Sequence, residues 1–151
     1  SVSDCEQHAS GILQIPSSYN GLPVRIINSE AFMYCINIVA VKIPDSITSI
    51  ARGTFMFCNN LTDITIPNCV TSIDSYAFCG CDNLMNVYYD GTEEAWDAIK
   101  IGSENIELTS ATIHYMGTPE QPPVLGDVNK DGKIDVKDGN RLRSGYFKKG
   151  W

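Results

Sequence analysis

The sequence predicts a mainly β solenoid of about four coils, closed by a short helical cap and followed by a small separate tail. Three observations predict it. Apolar residues, phenylalanines and cysteines recur in register every 23 positions. Within a repeat, alternating apolar residues run into a proline, and after the last repeat a hydroxyl followed by two acids opens a helix.

The repeat is seen in its columns. Phe32, Phe55 and Phe78 lie 23 residues apart, as do Cys35, Cys58 and Cys81. Val24, Ile47 and Val70 keep the interval, with Ile27, Ile50 and Ile73, then Ile38, Leu61 and Leu84, and Val41, Ile64 and Val87. Ile43-Pro44 recurs as Ile66-Pro67. An earlier partial copy ends in Ile15-Pro16 and is offset by about five extra residues, at the turn-rich Ser17-Ser18-Tyr19-Asn20-Gly21. So short a unit cannot bury its own apolar face, and stacking of copies makes the core continuous.

Each unit reads as two extended pieces around a turn. Val41-x-Ile43 alternates and is stopped by Pro44, which has no N–H for a ladder. Ile47-x-x-Ile50 is the second piece, and Ala31-Phe32-x-x-Cys35 with its later copies is the turn. At the far end, Thr92, Glu93 and Glu94 supply a cap and acids that favour the dipole of a helix start. Ala95, Trp96 and Ile99 are expected on its buried face, and Thr112-Ile113-His114-Tyr115 as a last strand. Residues 91–116 thus read as a cap shielding the last coil.

The stretches SEAFMYCINIVAVKIPDSITSI, RGTFMFCNNLTDITIPNCVTSI and SYAFCGCDNLMNVYYDGTEEAW resemble the BspA-like, bacterial surface type of leucine-rich repeat, over residues 11–116. The resemblance implies a right-handed leucine-rich-repeat solenoid. It also implies a secreted or surface-exposed bacterial protein that binds other molecules, without specifying the ligand.

The domain boundaries follow. Residues 1–116 form the solenoid and cap, 117–125 a Pro-rich linker, and 126–151 a tail. The tail holds Asp127-Val128-Asn129-Lys130-Asp131-Gly132-Lys133-Ile134-Asp135-Val136-Lys137-Asp138, the spacing of an EF-hand-like calcium loop. Asp127, Asn129 and Asp131 would offer side-chain oxygens and Lys133 its carbonyl; Asp135 would act directly or through water, and Asp138 would close the loop. The competing reading is an acidic surface turn interleaved with lysine. An Asp-closed loop after Gly126 resembles one dockerin repeat, which implies attachment to a cohesin domain. Dockerins normally carry two copies and this chain has one. Gly139 and Gly145 interrupt the following helix, and Val136-Lys137 replaces the usual small hydroxyl pair. A truncated copy that docks on its own solenoid is the alternative. Leu142, Tyr146, Phe147 and Trp151 provide the apolar face for either.

The column cysteines Cys35, Cys58 and Cys81 are expected to be reduced and buried, because stacked side chains run parallel instead of converging. One disulfide among Cys5, Cys69 and Cys79 remains open. Cys5-x-x-His8 and Cys79-x-Cys81 have ligand-like spacing but stand as solitary pairs, short of the four ligands of a structural zinc site. His8 and His114 are the only histidines, and neither accompanies a nucleophile. Asp45, Asp74, Asp82 and Asp90 read as solvated turn residues, so no enzyme is expected.

Two surfaces are candidates for a protein partner. Outward positions beside the core strands are Ala40, Lys42, Asp63, Thr65, Asn86 and Tyr88, a mixed set. In the turn column, Met33-Tyr34 and Met56-Phe57 stand in register, either as a partner-binding ridge or as side chains packed over one another. The chain carries a net charge of −7; through residue 115 there are 13 acids and four bases, and beyond it five acids and seven bases. That balance disfavours nucleic acid, and the longest apolar runs are too short to cross a membrane. A cohesin domain or a host or cell-surface protein is the expected partner, calcium the expected ion, and the extracellular space the expected location. The alternative is a scaffold or adhesion fragment of a larger surface protein, with a vestigial tail.

Overall fold

The computed structural model describes residues 10–117. In chain order its elements are β1 (Gly11–Gln14), β2 (Ser18–Tyr19), β3 (Leu22–Pro23), β4 (Ile38–Lys42), β5 (Ser49–Ile50), β6 (Asp63–Ile66), β7 (Ser72–Ile73), β8 (Asn86–Tyr89), α1 (Glu93–Asp97), β9 (Lys100–Ile101), α2 (Ile106–Ser110) and β10 (Thr112–Tyr115). They wind into a mainly β solenoid of about four turns.

The main sheet is parallel, in the order β1-β4-β6-β8-β10. Its register is the repeat made visible: Val41 pairs with Ile64 and Ile64 with Val87, one coil step each time. All three point inward and are buried. A second parallel sheet, β5-β7-β9, stacks Ile50, Ile73 and Ile101. The insert before the first full coil is more than a turn. Ser18 and Tyr19 pair antiparallel with Pro23 and Leu22 across Asn20 and Gly21, whose φ values are 51° and 76°. Asn-Gly suits that hairpin because both positions need a left-handed backbone.

Between the sheets, Phe32, Phe55 and Phe78 stack with centroids 5.4 Å apart at both steps. The sulfurs lie beside them. Cys58 Sγ donates to the Phe32 carbonyl at 3.0 Å, and Cys81 Sγ to the Phe55 carbonyl at 3.1 Å. Both are free and buried, as expected. Cys35 is a correction: it is disulfide-bonded, to a partner outside the described residues. It heads the column, with no earlier cysteine of the repeat stacked before it. Cys69 and Cys79 are free thiols.

Burial pushes the Cys58 thiol up to about 11, and burial, then the neighbouring Cys58, pushes Cys81 up as well. A raised thiol pKa means that the fold holds the proton more tightly than the unfolded chain. This stabilisation is complete below the ordinary value of 9.0 and is lost as pH rises through the folded value. Each thiol should therefore take away about 1.4 kcal/mol per pH unit between 9.0 and its folded value, and no more above it. Urea unfolding at pH 8 and pH 10 should show a steeper alkaline loss in the native chain than in Cys58→Ser/Cys81→Ser. Equal slopes would mean that these thiols do not control alkaline stability.

The cap begins as the sequence predicts. Thr92 is the N-cap, and its hydroxyl accepts from the Ala95 N–H at 3.3 Å. The backbone N–H of Glu94, then the Thr92 hydroxyl, hold the Glu94 carboxyl below its usual range. Trp96 and Ile99 are buried, with Trp96 edge-on to Tyr89 at 5.2 Å. Ala95 is a second correction: it is exposed. Its expected place on the buried face fails because the five-residue helix turns only a narrow stripe inward.

Candidate interaction surface

The turn face of the solenoid is built from backbone ladders. The N–H groups of Glu30, Phe32 and Tyr34 donate to the carbonyls of Arg52, Thr54 and Met56, one coil further on. Gly53, Phe55 and Phe57 repeat this onto Ser75, Ala77 and Cys79. Two positions per coil take the left-handed backbone. Glu30, Gly53 and Tyr76 form one such column (φ 61°, 60° and 63°), and Tyr34, Phe57 and Gly80 the other (φ 62°, 61° and 73°). A left-handed residue with a Cβ costs about 1–2 kcal/mol, which is why glycine serves in two of the six places.

At the second column the structure brings together two of the expected ridge residues. Tyr34 and Phe57 stack at 5.0 Å with planes 16° apart. Tyr34 remains 56% exposed and Phe57 is half-buried. Met33 and Met56, one position earlier, are both half-buried. The ridge is therefore an aromatic pair flanked by methionines that are themselves partly covered. It ends on Gly80, where a Cβ would stand 2.5 Å from Phe57 Cδ1. Gly80→Ala meets that ring and an unfavourable φ together. It should destabilise by about 2 kcal/mol and change the near-ultraviolet signal of the Tyr34–Phe57 pair. An unchanged melting temperature would mean that the ring moves aside freely.

The cap completes the ladder with side chains. Tyr76 N–H still finds a backbone carbonyl, that of Ser103, at 3.0 Å. Phe78 N–H donates instead to Asn105 Oδ1 at 3.0 Å, and Gly80 N–H to Glu107 Oε1 at 2.8 Å. Beside them the Cys79 thiol is raised, by burial first and then by Glu107, Glu104 and Asp82.

The outer face of the main sheet has more order than the mixed residues suggest. Asp63, Asn86 and Thr112 align across one row, and Thr65, Tyr88 and His114 across the next. Asn86 Nδ2 donates to Asp63 Oδ1 at 3.0 Å, and Asn86 Oδ1 lies 3.0 Å from His114 Nε2. His114 stacks on Tyr88 at 4.8 Å. Thr62 Oγ1 donates to Asp63 Oδ2. Sequence reasoning missed this network because Thr112 and His114 lie beyond the last 23-residue copy.

Asp45, Asp74, Asp82 and Asp90 are all exposed. Among the described residues no group of three or more His, Cys, Asp or Glu is placed to hold a metal, and no helix is long and apolar enough to cross a membrane. The expected calcium residues Asp127, Asn129, Asp131, Lys133, Asp135 and Asp138 lie outside the described residues, as do Leu142, Tyr146 and Phe147.

The BspA type leucine rich repeat region matches residues 13–114, in six copies. The solved leucine rich repeat protein of T. pallidum (TpLRR) is 28% identical, over 53% of this chain and 41% of its own, with a TM-score of 0.49. A solved leucine rich cell surface protein from Faecalibacterium prausnitzii A2-165 is 24% identical, over 64% of this chain and 37% of its own, with a TM-score of 0.36. The chain thus spans less than half the length of either. No curated protein matches it.

Proposed function

The chain belongs to the family of BspA-type leucine-rich repeat proteins, and from that premise we propose that it is a secreted or cell-surface, non-catalytic protein-interaction module whose partner seats on the Tyr34–Phe57 ridge. One observation carries the reading. Two aromatic side chains are held stacked and outward at backbone positions that favour glycine, and one of them is more than half exposed. Strained backbone tends to persist where it serves recognition. The disulfide at Cys35 supports a location outside the reducing cytosol.

The tail extends the proposal. Asp127, Asn129, Asp131, Lys133, Asp135 and Asp138 would hold calcium through hard oxygen ligands, and the ion would order a segment that offers Leu142, Tyr146 and Phe147 to a cohesin. The support for this is the spacing of the loop alone.

Two experiments test the parts separately. Tyr34→Asn/Phe57→Asn uses a residue that tolerates the left-handed backbone. It should keep the native melting profile yet lose about tenfold or more in affinity for the hits of an extracellular-protein array. Hits retained at full strength would remove the ridge from the proposal. Calorimetry should give calcium binding that Asp127→Ala/Asp131→Ala abolishes, and a cohesin panel then reads attachment. Calcium binding with every cohesin silent would favour the vestigial tail.

A further inference from the structure

We infer that the ridge accepts an extended cationic segment of its partner, with an aromatic or apolar residue against Tyr34 and Phe57 and a lysine or arginine three positions along, beside Asp82, Glu104 and Glu107. This rests on the ridge being an interaction site, as proposed above, and adds the chemistry of what it takes.

The surface has two unlike ends in line. At one end the Tyr34 ring is stacked on Phe57 and otherwise largely open. At the other, Asp82 lies two coils on from Tyr34, and Glu104 and Glu107 stand one step further, in the cap beside Gly80. Glu107 is fixed by the Gly80 N–H at 2.8 Å, and Asp82 by Asn59 Nδ2 at 3.2 Å. The charges of Glu107, Glu104 and Asp82 each raise the Cys79 thiol, after burial.

Among the described residues no base is ion-paired with these acids. Arg25 is exposed just after β3, Arg52 lies over the Tyr76 ring at 5.2 Å, Lys42 is on the main sheet in β4, and Lys100 is in β9 of the second sheet. With 13 acids against four bases through residue 115, the surface favours a positive partner and opposes a second copy of the same solenoid. The aromatic end accepts either an apolar residue or, through its ring face, a guanidinium.

Spacing sets the form of the segment. Coil steps follow the strand separation of about 4.8 Å, so two steps span about 10 Å. An extended chain advances about 3.3 Å per residue, which places a base beside Asp82 three residues after the first contact, with the cap carboxylates just beyond it.

The test uses a random dodecapeptide library displayed on phage and selected on the full chain. Selected peptides are then titrated against the native protein, Tyr34→Asn, and Asp82→Asn/Glu104→Asn. Asparagine suits the left-handed backbone of Tyr34 and Glu104 (φ 62° and 58°), so these variants should fold, which circular dichroism checks. Selected peptides should carry Lys or Arg three residues from an aromatic or apolar residue. Their affinity should fall about tenfold in each variant, and several-fold when salt rises from about 50 to about 300 mM. Replacing the peptide's basic residue by Gln should reproduce the loss without touching the protein. Peptides that depend on Tyr34 but ignore the carboxylates and the salt would overturn the cationic partner and leave the ridge standing. Peptides indifferent to Tyr34→Asn, or an empty selection, would overturn both.

Discussion

Phe55→Ala should lower the unfolding free energy by about 4 kcal/mol, the largest effect expected of any single truncation in the described solenoid. Phe55 is completely buried, and its ring stacks on Phe32 on one side and Phe78 on the other, at 5.4 Å each. The loss therefore combines a large cavity with two aromatic contacts of about 0.5–1.5 kcal/mol each. At this size of chain it corresponds to a melting temperature lower by roughly 15 °C. Phe32→Ala should be milder, because Phe32 has one ring neighbour and sits nearer the end of the column. Thermal and urea unfolding of the two variants measure the difference. In a stacked-repeat protein stability resides in the interfaces between neighbours, so the middle coil should matter most. Equal losses at Phe32 and Phe55 would mean that the phenylalanine column does not couple the coils.

Much of this column is legible in the sequence, because a solenoid writes its core there at one fixed interval. Phe55, Cys58, Leu61 and Ile64 each stand one step from their counterparts, and all are buried. What escaped is where the interval breaks. From Ile73 to Ile101 the chain advances 28 residues instead of 23, so β9 and α2 carry no column of their own to announce them. A different offset, 26 residues from Tyr88 to His114, hid their alignment and with it the outer-sheet network. The Cys35 disulfide escaped for another reason: a column records which side chains stack, not what the first of them meets on its open side.

The ridge was half legible. Residue type placed Met33, Tyr34, Met56 and Phe57 in two turns, but not which of them face outward. The discriminating signal was present as glycine. Gly53 shares its column with Glu30 and Tyr76, and Gly80 shares its column with Tyr34 and Phe57. A glycine in one copy of a turn position marks a left-handed backbone for that column, and a bulky residue in another copy is held under strain. The aromatic pair is thus a local departure from what the repeat would choose for stability alone. That supports the proposed recognition role more firmly than its apolar character does.

Asn105→Leu should cost about 3–4 kcal/mol, although it exchanges one buried side chain for another of similar bulk. Asn105 is 3% exposed and stands in for a missing coil. Its Oδ1 accepts from the Phe78 N–H at 3.0 Å, and its Nδ2 donates to the carbonyls of Asp74 and Gly102 at 3.0 and 2.9 Å. Leucine satisfies none of these groups, and each polar group left buried without a partner costs about 1–3 kcal/mol. Asn105→Asp separates the acceptor from the donor. It keeps an oxygen for Phe78 but turns a carboxylate towards the carbonyls that the amide served. The folded state should then favour the protonated acid, which can donate again. The penalty should stand in full above the folded pKa and shrink as pH falls towards the ordinary carboxyl range, near about 4. Urea unfolding at pH 7 and pH 4.5, each against the native chain, reads this directly, and hydrogen exchange at the Phe78 amide locates it. A leucine variant as stable as the native chain, or an aspartate variant whose deficit grows towards low pH, would show that the last coil is closed by packing of Trp96, Ile99 and Leu108 alone and not by the side-chain carbonyl that continues its ladder.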